Sequence, residues 1–158
     1  MFLVTDTIEG RQKKVRSFLD KEPVIAVLLA AVDFEWTVRR AVVALGTNTN
    51  RHIRDTVLKS CHGADDYKKA WNTEVKPLLK KGLPEVVADW KFLKADAYLM
   101  RHRIVHGLDG MPSTKKASQS MEAFLAASKA IHEFAIVHGE QIFGKRLTVR
   151  RKPRACPA

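Results

Sequence analysis

The strongest chemical signal in this sequence is an arginine and a histidine five residues apart, Arg101 and His106. His102 directly follows the arginine, and Gly107, a residue that often ends helices, directly follows His106. A fixed guanidinium can hold a phosphate through two hydrogen bonds, and an imidazole can accept or donate a proton near neutral pH. Cleavage of RNA without a metal ion needs both groups, so the segment predicts a ribonuclease site.

Helical geometry limits how these side chains can meet. At about 100° per residue, Arg101 and His106 lie roughly 140° apart on a straight helix, whereas His102 and His106 share a face. Arg101 and His106 can therefore reach one phosphate in two ways. Either the helix is distorted at its end near Gly107, or a second copy of the motif comes from a symmetric partner. A twofold dimer that stacks the motif helices would place two arginines and two histidines in one cleft.

The motif resembles the signature of the HEPN superfamily of helical-bundle ribonucleases, in which Arg is followed by a polar residue, three more residues and His. The resemblance implies a metal-independent endoribonuclease with a composite site across a homodimer, acting as a toxin or anti-phage effector. It also implies a possible antitoxin or other regulatory partner. His102 occupies the polar position and is expected to orient His106. One branch of these toxins carries a modified Tyr two residues after the His, where this chain has Leu108.

Hydrophobic periodicity predicts an all-α protein, an antiparallel bundle of about five to six helices. We expect helices at about 6–19, 24–45, 51–62, 65–79, 84–106 and 118–143, with the second as the central helix and the fifth carrying the motif. Residues 1–144 are predicted to form one HEPN-like domain. Residues 145–158 contain six Lys or Arg and two Pro, which predicts a basic, flexible tail.

The charge favours a polyanionic partner. The 158 residues carry a formal net charge of +11, which is unusual for an enzyme of neutral metabolites and suits RNA or a strongly acidic protein. Lys115 and Lys116 follow the loop that leaves the motif, and Arg103 lies within it. These three residues are the predicted RNA contacts outside the catalytic group.

Two carboxylates interrupt the apolar second helix, and both have alternative interpretations. Asp33 and Glu35 either line the cleft or form ordinary ion pairs, with Arg39 one turn from Glu35 and with Arg40 on the side of Asp33.

No metal or cofactor is predicted. Cys61 and His62 have no second Cys or His at ligand spacing, since Cys156 lies near the C-terminus. The repeat of Ile104–Gly107 at residues 136–139 is not expected to form a second site, because Glu133 replaces the arginine.

The expected location is the cytoplasm. The N-terminus lacks the pattern of a signal peptide, and the longest apolar run is too short to span a membrane. Two alternatives to an enzyme remain open at this point. One is a non-catalytic HEPN-like dimerisation or nucleic-acid-binding module, and the other is a basic antitoxin or adaptor bound to an acidic protein.

Overall fold

The computed structural model describes residues 6–108 and 112–155, and within them the fold is entirely helical, without β-strands. The predictions made for residues 1–5, the loop residues 109–111 and Cys156 lie outside these ranges. The helices are, in chain order, α1 (Ile8–Arg16), α2 (Pro23–Leu45), α3 (Asn50–His52), α4 (Ala64–Glu74), α5 (Lys76–Leu79), α6 (Leu83–Val86), α7 (Trp90–Phe92), α8 (Tyr98–His106) and α9 (Thr114–Val137). A π-helical turn, Ile53–Val57, continues α3, and a second, Leu93–Ala97, joins α7 to α8. None of the described helices is long and apolar enough to cross a bilayer.

Helix α2 is the centre of the molecule, as its composition predicted. Small and β-branched side chains at Ala30, Val38 and Val42 are completely buried, which allows close approach of neighbouring helices. The ring of Phe34 lies at the middle of the core, with its centroid 5.9 Å from Phe124 on α9. The all-helical class of the fold is confirmed.

The two longest helices, α2 and α9, run in the same direction. Phe34 at the middle of α2 meets Phe124 in the first half of α9, and Arg40 farther along α2 donates to the carbonyl oxygen of Ile142, beyond the end of α9. Beyond their C-terminal ends, Arg154 donates to the carbonyl oxygen of Leu45 and pairs with Glu140. Helix α1 runs the opposite way, because Arg16 at its end pairs with Glu122 in the first half of α9, whereas the earlier Arg11 stacks on Phe143, beyond the C-terminal end of α9. The bundle is therefore not simply antiparallel.

Several predicted helix limits were wrong. The predicted helix 84–106 is interrupted between α6 and α7, where Val87 is extended. The last helix begins at Thr114 because the Ser113 hydroxyl accepts a hydrogen bond from the Lys116 N–H. It ends at Val137 and not near residue 143, since Gly139 has a φ of +79°. The IVHG repeat at residues 136–139 therefore does end a helix.

The C-terminal segment is bound to the end of α2. Arg150 donates to the carbonyl oxygens of Val43, Ala44 and Asn48, at 3.1, 3.2 and 2.7 Å, and Arg154 donates to that of Leu45. The carbonyls of Val43, Ala44 and Leu45 lie in the last turn of α2, where they have no N–H partner within the helix and need donors from elsewhere. Residues 145–155 thus make side-chain contacts with the domain that a simple flexible tail would lack.

Asp33 lies inside the bundle and not in an open cleft. Its Oδ1 accepts a hydrogen bond of 2.6 Å from Nε of Arg11, and both side chains are completely buried. The guanidinium of Arg11 also stacks 3.7 Å from the ring centre of Phe143. Asp33 therefore joins α1 to α2 as half of a buried ion pair, the structural alternative considered for it.

Candidate active site

The π-helical turn before α8 sets the orientation of the motif helix. The N–H of Tyr98 bonds to the carbonyl oxygen of Leu93, five residues earlier, so one extra residue is accommodated in this turn. Tyr98 consequently points into the core, with its ring centroid 6.0 Å from Phe34 and 5.2 Å from Phe124. Arg101, three residues later, lies on the side of α8 that faces α2.

The end of α8 is a regular Schellman motif. Gly107 has a φ of +60° and its N–H bonds to the carbonyl oxygen of Ile104, while the N–H of Leu108 bonds to that of Arg103. The helix remains α-helical from Tyr98 to His106. The separation of about 140° between Arg101 and His106 is therefore retained, and helix distortion does not bring them together.

Arg101 pairs with Glu35 of α2. Its Nη2 lies 3.4 Å from Oε1 of Glu35, with side-chain exposures of 31% and 19% respectively. This is a charge contact without hydrogen-bond geometry, and Oε1 has no hydrogen-bond partner among the described residues. The predicted pairing of Glu35 with Arg39 is replaced by this longer-range pair. Arg39 instead donates to the Tyr67 hydroxyl and to the carbonyl oxygens of Leu58 and Cys61.

The surroundings of Glu35 combine aromatic rings with cations. Burial raises the pKa of Glu35 above its ordinary value, although the charges of Arg101, Arg39 and His62 act in the opposite direction. Burial and the negative charge of Glu35 raise the pKa of Tyr98, whose hydroxyl has no hydrogen-bond partner among the described residues. Glu35 therefore carries its charge at an energetic cost, and Arg101 is its nearest counter-ion.

The two histidines of the motif form an exposed pair on the other side of α8. The ring centroids of His102 and His106 are 4.3 Å apart, at an interplanar angle of 50°. Apolar side chains surround them, with exposed fractions of 46% for Leu99, 53% for Val105 and 63% for Leu108. Exposed apolar side chains clustered around polar groups are typical of a contact surface. We call these five residues the histidine face.

The predicted RNA contacts divide into two groups. Arg103 and Lys116 line the same cavity, between α8 and the first turns of α9. Lys115 is exposed and does not line this cavity.

Sequence reasoning missed Tyr98 and the pairing of Glu35 with Arg101. Both depend on the π-helical turn, which has no recognised sequence signal here. Within residues 6–108 and 112–155, no group of three or more His, Cys, Asp or Glu is placed to hold a metal ion.

Comparison with known proteins gives no significant match to a protein-family model, to a curated protein or to a solved structure. The HEPN resemblance therefore depends on the motif and its helical setting alone.

Proposed function

We propose that this chain is a metal-independent endoribonuclease of the HEPN type, with a site completed across a homodimer. The observation that carries the proposal is the histidine face, where two adjacent imidazoles lie exposed among apolar side chains on the helix that also holds Arg101. Such a face gives a second subunit an apolar surface to pack on and leaves the imidazoles at the contact.

A second copy supplies what one subunit lacks. Arg101 and His106 of one chain diverge along α8, so one α8 does not bring them to a common phosphate. The side chain of Arg101 is 31% exposed, so two α8 helices that pack about a twofold axis close to this exposed part would bring Arg101 of the partner subunit toward His106, and the reverse would hold at the same time. The distorted helix end, the other predicted route, has no support from the regular end of α8.

The proposed reaction is attack of a ribose 2′-hydroxyl on the adjacent phosphorus. One His106 takes the hydroxyl proton, the P–O bond to the 5′-oxygen breaks, and the other His106 protonates that leaving oxygen. Arg101 stabilises the negative charge that develops on the phosphate. The products are a 2′,3′-cyclic phosphate and a 5′-hydroxyl end. DNA lacks the attacking hydroxyl and is expected to remain intact.

The biological part of the proposal comes from the resemblance. A HEPN ribonuclease of this size fits a cytoplasmic toxin or anti-phage effector, restrained by an antitoxin or another regulatory protein. The net charge of +11 favours RNA as the bound polyanion.

One observation favours the second candidate, a non-catalytic HEPN-like dimerisation or nucleic-acid-binding module. Arg101 is mostly buried and pairs with Glu35. An arginine that only stabilises the bundle would have the same environment. In this alternative the histidine face binds a partner but cuts nothing.

Cleavage of total tRNA and of a structured RNA in EDTA separates the two candidates. We expect the wild type to cut RNA and spare DNA of the same sequence, and Arg101→Ala and His106→Ala to lose at least about 100-fold in rate. His138→Ala is the matched control, because His138 is exposed and follows the same Ile-Val pair on α9. Intact RNA in all reactions, with folded and dimeric protein that still binds RNA, would favour the non-catalytic module.

A further inference from the structure

A cavity lies beside the histidine face, between α8 and the N-terminal part of α9. Its volume is about 490 Å³, within the range of about 300–1,000 Å³ typical of small-ligand sites. Its walls are formed by Phe92 on α7, Asp96 on the second π-helical turn, residues of α8 that include Leu99 and Arg103, and residues at the start of α9 that include Ser113 and Lys116. We call it the α8–α9 cavity.

The α8–α9 cavity opens next to the motif. Leu99 lines it and also belongs to the histidine face, three residues before His102 and seven before His106 on one side of the helix. Arg103 lines the cavity one turn before His106. The cavity therefore adjoins the histidine face through Leu99, although neither His102 nor His106 is among the residues that line it.

The lining suits a nucleotide. Phe92 and Met100 offer an aromatic ring and a polarisable thioether to the flat face of a base. Lys116 and Arg103 bring positive charge to the same cavity, and Asp96 and Gln119 offer groups that can bond to the edge of a base. An aromatic wall with cations beside it is the combination by which proteins bind single-stranded nucleic acids.

A neighbouring hollow of about 480 Å³ shares Phe92 and Gln119 with the cavity but differs in chemistry. Alanines dominate its walls, Asp89 and Glu122 are its charged residues, and no Lys or Arg lines it. A phosphate backbone is therefore favoured on the Lys116 side of Phe92, toward the motif, and not in the second hollow.

We propose that the α8–α9 cavity binds one nucleotide of single-stranded RNA, adjoining the phosphate that is cut. The inference rests on the proposed function, since it names a substrate position of the same site. The base packs on Phe92 and Met100, and Lys116 neutralises the phosphate.

The test is binding of a fluorescent single-stranded RNA octamer to His106→Ala protein, measured by anisotropy over a range of salt concentrations. Lys116→Gln is expected to weaken binding about 5- to 10-fold and to lower the slope of log affinity against log salt by about 0.7. Phe92→Leu keeps an apolar side chain and is expected to weaken binding at least about 5-fold. Lys129→Gln is the matched control, because Lys129 is an exposed lysine farther along α9 that does not line the cavity, and it is expected to change affinity less than about 2-fold. Melting temperatures verify that each variant is folded.

Three outcomes would overturn the inference. In the first, Lys116→Gln and Phe92→Leu bind the octamer as Lys129→Gln does while wild type still cuts RNA. The proposed function then stands and only the cavity assignment fails. In the second, a free mononucleotide binds and is lost in both variants while the octamer does not bind, so that the occupant is a free nucleotide. In the third, neither the octamer nor a mononucleotide binds, which contradicts the cavity assignment. If wild type also fails to cut RNA, the proposed function is contradicted as well.

Discussion

At the scale of single residues, Glu35 connects the buried centre of the bundle with the motif helix. Its carboxylate lies 3.4 Å from Arg101 and close to the aromatic rings of Tyr67 and Tyr98, whose pKa values it helps to raise. Because burial raises the pKa of Glu35 itself, the folded protein carries an energetic cost for keeping this group ionised. Under the proposed function, the benefit of this cost is that the ionised Glu35 holds Arg101 in a fixed position for catalysis.

We therefore predict opposite effects of Glu35→Gln on stability and on cleavage. A folded-state pKa above the unfolded value means that the native protein binds the proton more strongly, so stability falls as pH rises through the folded pKa. Glu35→Gln should melt at a higher temperature than wild type at pH 7. As pH falls from 7 toward 4, wild type should become more stable because Glu35 is protonated, and the variant should lack this gain. RNA cleavage should fall roughly 10- to 100-fold, because Arg101 loses its anchor.

Thermal melts from pH 4 to 8 and cleavage assays on the same preparations test both effects. Glu133→Gln, an exposed carboxylate on α9, is the control and should change neither quantity. Equal cleavage by Glu35→Gln and wild type would show that the ion pair does not position Arg101.

The motif residues could be predicted from sequence, but their contacts could not. The type and spacing of Arg101, His102 and His106 are local features, and the close contact of the two exposed histidines follows from a spacing of four. The ion-pair partner of Glu35 could not be predicted in this way. Both Arg39 and Arg101 are cations that could pair with it, and only the packing of α8 on α2 selects Arg101. Contacts between distant helices depend on such packing.

At the scale of helices, the ends were the least predictable part. Gly107 was correctly predicted as the stop of α8, since a left-handed residue there favours glycine. The start of α9 was misplaced because Ser113 was assigned to the loop, although it is a favourable cap. The π-helical turns had no hydrophobic signature in the sequence. Each turn inserts one residue and so changes the side of the helix on which the following residues lie.

The end of α2 gives a prediction at the same scale. Arg150→Ala removes three charge-assisted hydrogen bonds to α2 and the following loop, so we expect the free energy of unfolding to fall by about 1–3 kcal/mol. Arg151→Ala is the matched control, because Arg151 is exposed and should change stability by less than about 0.5 kcal/mol. Chemical denaturation of both variants provides the measurement. Equal stabilities would mean that water replaces Arg150 at these carbonyls without cost.

At the scale of the whole molecule, composition and periodicity were sufficient to predict an all-helical protein with α2 at its centre. They were not sufficient to predict helix directions. The parallel pairing of α2 and α9 is possible because the chain between them, residues 46–113, makes a long path through the other helices. Hydrophobic patterns identify the buried face of each helix but contain no information on which end of a neighbour it meets.

The proposed function requires a homodimer that forms through the histidine face. Val105→Glu places a charge in the histidine face and should convert a homodimer to monomers with loss of RNA cleavage, while the melting temperature of the fold changes little. Val137→Glu is the matched control, since Val137 is 80% exposed and also precedes a histidine in the repeated tetrapeptide. Light scattering coupled to size-exclusion chromatography gives the mass of each variant. A dimer that persists in Val105→Glu and still cuts RNA would place the subunit contact elsewhere.

The hydrogen bonds from Arg150 to α2 also determine when the domain can finish folding. The guanidinium and the carbonyl oxygen of Val43 are separated by 107 residues in the chain. During synthesis, α2 and its neighbours can collapse well before that arginine leaves the ribosome, but the end of α2 lacks these donors until then. Contacts so distant in sequence form slowly and late. The C-terminal end of α2 is therefore expected to gain these hydrogen bonds only after residue 150 has been synthesised.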